Sequence, residues 1–291
     1  MEIKRVGVIG AGQMGSGIAH VFAISGFDVC LHDLSFELSF HALQRIQRDM
    51  DAMIERGRLT EEDKVAAIGR ITTTIDMADL ADFDLIIEAA SEDAGIKERI
   101  FSDLCRNLGK HTLLTTNTSS ISITKLASKT DRPERFMGVH FMNPAPKMKL
   151  VELIRGIATD DETYRILHGV IQKLGKETTY SEDFPGFIVN RILITMINEA
   201  VYALYEGVGS VDSIDRSMRM GANHPMGPFE LADFIGLDVC LAIMNVLHEG
   251  LADTKYRPCP LLTKYVDAGW HGRKTRQGFY NYHEDPPVAS R

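Results

Sequence analysis

His140 and Glu152 have types and spacing suited to acid–base chemistry. His140 falls near the end of an apolar run, residues 137–141, and Glu152 sits inside another, Leu150-Val151-Glu152-Leu153-Ile154. A neutral imidazole can take the proton of a secondary alcohol as that alcohol is oxidised. A carboxylate inside an apolar strand is costly unless it is paired. If the chain turns back around Asn143–Met148 in a hairpin centred near Pro146, positions 140 and 152 lie six residues either side of the centre. They then become cross-strand neighbours on one face. A carboxylate so placed fixes the imidazole tautomer and stabilises the imidazolium.

A second constellation lies near the N-terminus. Gly10-Ala11-Gly12-Gln13-Met14-Gly15 fits the pattern G-x-G-x-x-G, and Asp33 stands about twenty residues further on. The six residues alone are a weak signal, since a glycine-rich turn with no ligand looks the same. Here a strand-like run precedes them, a helical pattern follows, and a second strand leads to Asp33. Gly10 permits the tight turn, Gly12 lets backbone approach a pyrophosphate, and Gly15 lets the helix pack closely on the sheet. The helix N-terminus offers free N–H groups to the phosphates. Asp33 can accept both ribose hydroxyl hydrogens of NAD and would repel the extra phosphate of NADP. Leu34-Ser35-Phe36 brings no arginine to neutralise that phosphate, so NAD is the expected cofactor.

The elements that must position these groups alternate along the first half. Strands are expected at residues 6–9, 29–32, 71–75, 85–89, 112–116 and 137–141. Helical patterns occupy 16–25, 36–67, 94–108 and 123–128. Strands alternating with helices suggest a parallel, doubly wound sheet. The pattern changes at Asp183-Phe184-Pro185-Gly186, after which the chain reads as helical, with helices expected at 187–206 and 229–247. Pro228 suits the first position of the latter. The expected architecture is α/β: a Rossmann-type dinucleotide-binding domain over 1–184, followed by an all-helical domain over 185–291.

Composition narrows the classes of function. The chain has 291 residues and a net charge of -8, a poor balance for nucleic-acid binding, which needs clustered Lys and Arg. No apolar stretch approaches the roughly 20 residues that cross a bilayer. Cys30, Cys105, Cys240 and Cys259 show no C-x-x-C spacing, and no metal site is expected. With no signal peptide evident, a soluble, cytoplasmic protein is the expectation.

Further motifs carry a resemblance. Asn117-Thr118-Ser119-Ser120 and His140-Phe141-Met142-Asn143-Pro144 each follow a strand, and Pro185-Gly186-Phe187-Ile188-Val189-Asn190-Arg191 opens the helical half. With His224-Pro225-Met226-Gly227-Pro228 and Gly272-Arg273-Lys274-Thr275, these resemble the L-3-hydroxyacyl-CoA dehydrogenase family, most closely its short-chain 3-hydroxybutyryl-CoA dehydrogenases, from about residue 3 to Tyr282. The resemblance implies interconversion of an L-3-hydroxyacyl-CoA and a 3-ketoacyl-CoA with NAD(H), His140 and Glu152 being the catalytic dyad. It gives Ser119 and Asn190 the substrate's oxygens, although Ser119 also reads as a helix cap and Asn190 as a polar residue on a helix's wet side. Asn117, Asn143, Glu92 and Lys97 are expected on the cofactor side. The family uses the region 36–67 as a helical arm near the CoA nucleotide, which makes Arg56 and Arg58 candidate phosphate contacts; a solvated, mixed-charge helix pair is the plainer reading. The family also implies a homodimer formed through the C-terminal domain.

Arg276 stands where the family usually carries glycine, which puts the local turn in doubt if a positive φ is needed there. Three other readings compete. One is an NAD dehydrogenase of a free hydroxy or sugar acid, as in the lambda-crystallin-like gulonate dehydrogenases. Another is a non-catalytic NAD-binding scaffold, which would have no need of a paired His and Glu. The third is one part of a fused β-oxidation protein, against which the chain reads as free-standing. Fatty-acid oxidation, aromatic-acid breakdown and butyrate formation would all use the dehydrogenase chemistry.

Overall fold

The computed structural model describes residues 1–290. Two compact units divide the chain, Met1–Phe184 and Pro185–Arg291. In chain order the first holds β1 (Arg5–Ile9), α1 (Gln13–Ile24), β2 (Asp28–His32), α2 (Phe36–Glu55), α3 (Glu61–Gly69), β3 (Ile71–Thr74), β4 (Leu85–Glu88), α4 (Ala94–Asn107), β5 (Leu113–Thr116), α5 (Ile123–Ala127), β6 (Phe136–Phe141), β7 (Leu150–Arg155), α6 (Asp161–Lys173) and β8 (Glu177–Glu182). The second holds α7 (Val189–Tyr205), α8 (Val211–Gly221), α9 (Pro228–Ile235), α10 (Leu237–Leu251), α11 (Pro260–Asp267) and a small ribbon of β9 (Tyr280–Asn281) and β10 (Val288–Ala289).

One eight-stranded sheet organises the first unit in the order β3-β2-β1-β4-β5-β6-β7-β8. All pairings are parallel except β6 with β7. Val6, Val8 and Ile9 of β1 are buried, as are Leu85, Ile86 and Ile87 of β4, because helices cover both faces of such a sheet. The order reverses between β1 and β4, a switch point that opens a crevice at the strands' carboxyl ends. The antiparallel β6–β7 pair sets His140 opposite Glu152, the register that mirror positions about Pro146 require. β8 was not expected: Glu-Thr-Thr-Tyr-Ser-Glu is a mostly exposed edge strand with no apolar alternation to reveal it.

The stretch 36–67 is two helices rather than one. Ala42, Ile46 and Met50 of α2 form a buried stripe at four-residue intervals. The helix ends at Gly57, φ +65, with Arg58 N–H donating to the Met53 carbonyl. Thr60 then caps α3 by accepting from Asp63 N at 3.1 Å. The expected helix 229–247 is likewise broken, into α9 and α10, at Gly236, φ +106, with a bend of 96°. Pro228 does sit in the first turn of α9. No single helix among the described residues is long and apolar enough to cross a membrane. Ile194, Ile197 and Val201 of α7 pack with Phe229, Leu237, Met244 and Phe279 in a core belonging to the second unit alone.

Candidate active site

The end of β6 places His140, 5 % exposed, between two partners. Its Nδ1 lies 2.8 Å from Oε2 of the fully buried Glu152, and its Nε2 lies 3.0 Å from Ser119 Oγ. A carboxylate that accepts from Nδ1–H leaves the Nε2 of a neutral ring with its lone pair facing Ser119. Ser119 belongs to the turn after β5, and Glu92 holds that turn. One carboxylate oxygen, Oε1, accepts from Thr118 Oγ1 at 2.6 Å, Ser119 N at 2.8 Å, Ser120 N at 3.1 Å and Ser120 Oγ at 3.0 Å.

Asn117 Oδ1 accepts from Phe141 N at 2.8 Å, splinting the ends of β5 and β6. Asn143 Oδ1 accepts from Gln13 Nε2 at 3.1 Å and so ties the loop after β6 to the glycine loop. Lys97 is buried at the base of the turn that carries Ser119. Its side chain is 1 % exposed, and its ammonium is held by Glu88 Oε1 at 2.7 Å and Oε2 at 2.9 Å. A cation so enclosed ties the first turn of α4 to the end of β4. Asn190 lies in the first turn of α7, half-buried, in the second unit.

The glycine loop has the features a dinucleotide needs. Gly10 has φ +101, and a Cβ there would meet the Ala89 carbonyl at 2.7 Å. A Cβ on Gly15 would lie 1.7 Å from the Gly10 carbonyl oxygen, so only glycine lets α1 approach this closely. Gly12 faces open space, and no side chain caps the N-terminus of α1, which Gln13 and Met14 begin. Those first N–H groups are free for phosphate oxygens. Asp33 accepts from the N–H groups of Ala11 and Leu34, one on each oxygen, which anchors the acid at the loop's edge.

A cleft of about 1530 Å³ runs from this loop along α2, larger than the roughly 300–1,000 Å³ usual for one small molecule. Arg45, Arg48, Arg56, Arg58 and Lys147 line it against only two carboxylates, Asp33 and Asp49. Burial pushes the imidazoles of His20 and His32, also in its wall, below their ordinary value. Arg56 and Arg58 are exposed at α2's end and bound the cleft. Arg45 was not singled out from sequence: its guanidinium donates to the Ala11 carbonyl and, at 3.4 Å, to Ser16 Oγ, buttressing the glycine loop.

Comparison with known proteins gives this geometry a family. Residues 5–184 match the NAD binding domain of 3-hydroxyacyl-CoA dehydrogenase, and residues 186–282 match its C-terminal domain. The chain belongs to the 3-hydroxyacyl-CoA dehydrogenase family. It is 59 % identical over 289 residues to a 3-hydroxybutyryl-CoA dehydrogenase of Bradyrhizobium diazoefficiens, covering 99 % of each chain. A probable 3-hydroxybutyryl-CoA dehydrogenase of Bacillus subtilis is 50 % identical over 284 residues, with 98 % of this chain and 99 % of that one covered. The crystal structure of (S)-3-hydroxybutyryl-CoA dehydrogenase from Ralstonia eutropha superposes with a TM-score of 0.95 at 45 % identity, covering 97 % of this chain and 100 % of that one. As a member of this family the chain is an NAD-dependent dehydrogenase, and the open Gly12 backbone, uncapped α1 and Asp33 fit that cofactor.

Proposed function

We propose that the chain interconverts 3-hydroxybutyryl-CoA, or a similarly short L-3-hydroxyacyl-CoA, and the 3-ketoacyl-CoA, with His140 as general base and acid. The arrangement Glu152–His140–Ser119 carries this reading. Glu152 holds the tautomer that leaves Nε2 basic. The substrate's 3-hydroxyl donates to Nε2 beside the Ser119 hydroxyl, and His140 takes its proton. The resulting imidazolium faces Glu152 at hydrogen-bond distance, so its charge forms already paired. NAD, when bound, supplies the hydride acceptor. In the reverse direction His140 returns the proton to the oxygen. Ser119 holds a substrate oxygen in register with Nε2, and the Asn190 amide is a further candidate for a substrate oxygen. Asn117 and Asn143 support the cofactor side, and Arg56 and Arg58 take the CoA phosphates at the cationic rim.

Further features frame the reading. Ile192, Val208, Met220 and Phe234 of the second unit are each more than half exposed, apolar area that a homodimer contact would cover. The four cysteines are free thiols, which suits a reducing cytoplasm.

The test follows NADH oxidation with acetoacetyl-CoA beside free acetoacetate, in protein whose mass is measured by sedimentation. Turnover of the thioester alone, by a dimer, and its fall by about 10²–10⁴-fold in His140→Ala with NADH binding intact, is the expected result. Near-normal turnover in His140→Ala removes the base; turnover of free acetoacetate removes the thioester.

A further inference from the structure

The turn that carries Ser119 is fastened from outside itself. Ser119 and Ser120 present consecutive backbone N–H groups, an arrangement that makes a small anion-binding concavity. In this protein the anion is the chain's own: Glu92 Oε1 fills it and also takes the hydroxyls of Thr118 and Ser120. Glu92 is seated in turn. Its Oε2 lies 3.5 Å from Lys97 Nζ. Glu88 pins that ammonium, and accepts Thr116 Oγ1 at 2.6 Å and Ala90 N at 2.7 Å. Glu88 and Lys97 are at most 1 % exposed, so neither has water as an alternative partner. The series runs from the end of β4 through the first turns of α4 to the turn after β5, and ends 3.0 Å from His140 Nε2 at the Ser119 hydroxyl.

We propose that Glu92, seated by Lys97, is a positioning residue that fixes the Ser119 hydroxyl against His140. Its influence on the reaction passes through Ser119. A chemical consequence follows. The N–H groups of Ser119 and Ser120 are occupied by Glu92 and do not serve as an oxyanion hole; the Ser119 hydroxyl is the donor this turn offers the substrate. The inference rests on the proposed contact between Ser119 and the substrate's oxygen, and differs from a direct contact of Glu92 with the cofactor.

A double-mutant cycle separates these roles. Glu92→Ala should lower kcat by about 10–100-fold while the NADH Kd moves by less than about 2-fold. Glu92→Gln, whose amide oxygen still accepts the N–H groups, should stay within about 3-fold of wild type. In a Ser119→Ala background, Glu92→Ala should cost less than about 2-fold more, because the group it positions is gone. Multiplying losses, or an NADH Kd that weakens as far as kcat falls, would overturn the proposal. Wild-type kcat in Ser119→Ala alone would sink the substrate contact. Amide exchange at Ser119 and Ser120 then still decides positioning: it should be slow in wild type and fast in Glu92→Ala, and equal rates overturn it. The Gln variant keeps the proposal testable if the Ala variant does not fold.

Discussion

In the proposed mechanism Glu152 acts through its hydrogen bond with His140 Nδ1, at 2.8 Å. Two contributions travel along it, orientation and charge, and Glu152→Gln divides them. The amide oxygen can still accept from Nδ1, so the tautomer survives, but the imidazolium loses its anion in a buried site. The expected result is a kcat lower by about 10²–10³-fold with KM within about 3-fold. Unchanged kcat would mean that the carboxylate only orients the ring. Much of this pair was legible from sequence, because a hairpin about Pro146 and the cost of a lone carboxylate in an apolar strand both point to it. The second argument applies equally to Glu88, in Leu-Ile-Ile-Glu, and calls for a buried partner, which the structure shows to be Lys97. Arg45 was not legible as a support of the glycine loop. Its acceptor, the Ala11 carbonyl, lies 34 residues back and meets it only once α2 is laid against α1.

At the scale of elements, local backbone demands override periodicity. Arg276 adopts φ +57 directly after the 3-10 turn Arg273–Thr275; it donates its N–H to the Arg273 carbonyl at 3.2 Å and accepts from Tyr282 N at 3.0 Å. The turn that suits glycine is therefore kept with arginine in it. A left-handed conformation costs a side-chain-bearing residue about 1–2 kcal/mol, against roughly 0.5–1 kcal/mol of extra chain entropy that glycine loses on folding. The steric cost is the larger, so Arg276→Gly should stabilise the protein by about 0.5–1 kcal/mol and raise Tm by roughly 1–3 °C. Thermal unfolding reads this directly, and a lowered Tm would show that the arginine side chain compensates. The break at Gly236 belongs with it. Apolar periodicity continues across 229–247, and a glycine inside such a pattern costs only about 1 kcal/mol, so sequence alone favours one helix. The bend comes from φ +106, which tertiary packing selects.

Over the whole molecule, bulk charge and local charge part company. A chain of net charge -8 gathers five cations around one cleft, so its overall acidity does not exclude a polyanionic small ligand. The acidic excess also reaches the interior of the second unit. Asp215, on α8, accepts from Phe229 N at 2.8 Å and Glu230 N at 3.0 Å, supplying the cap that Gly227 cannot give α9. Asp233 accepts from Phe279 N at 3.0 Å, Tyr280 N at 2.9 Å and Tyr282 OH at 3.1 Å, pinning the C-terminal ribbon. Burial raises both carboxyls, Asp233 to about 6 from 3.8, despite these donors; the Asp215 charge adds to the rise at Asp233. A folded-state pKa above the unfolded one means that the folded chain binds the proton more tightly. The stability this confers is complete below about pH 4 and is lost as pH rises to about 6 and above, roughly 3 kcal/mol for Asp233. Asp233→Asn removes the titration, though it leaves one N–H donor unserved and so weakens the protein at every pH. The stability gap between wild type and variant, read from denaturant unfolding of the second unit's tyrosine and tryptophan signals, should therefore be wider at pH 4 than at pH 7. Titrating groups that do not interact with Asp233 cancel from that difference, and Asp215 enters it only through its coupling to Asp233. A gap independent of pH would show that the three donors hold Asp233 ionised throughout, with hydrogen bonding outweighing burial.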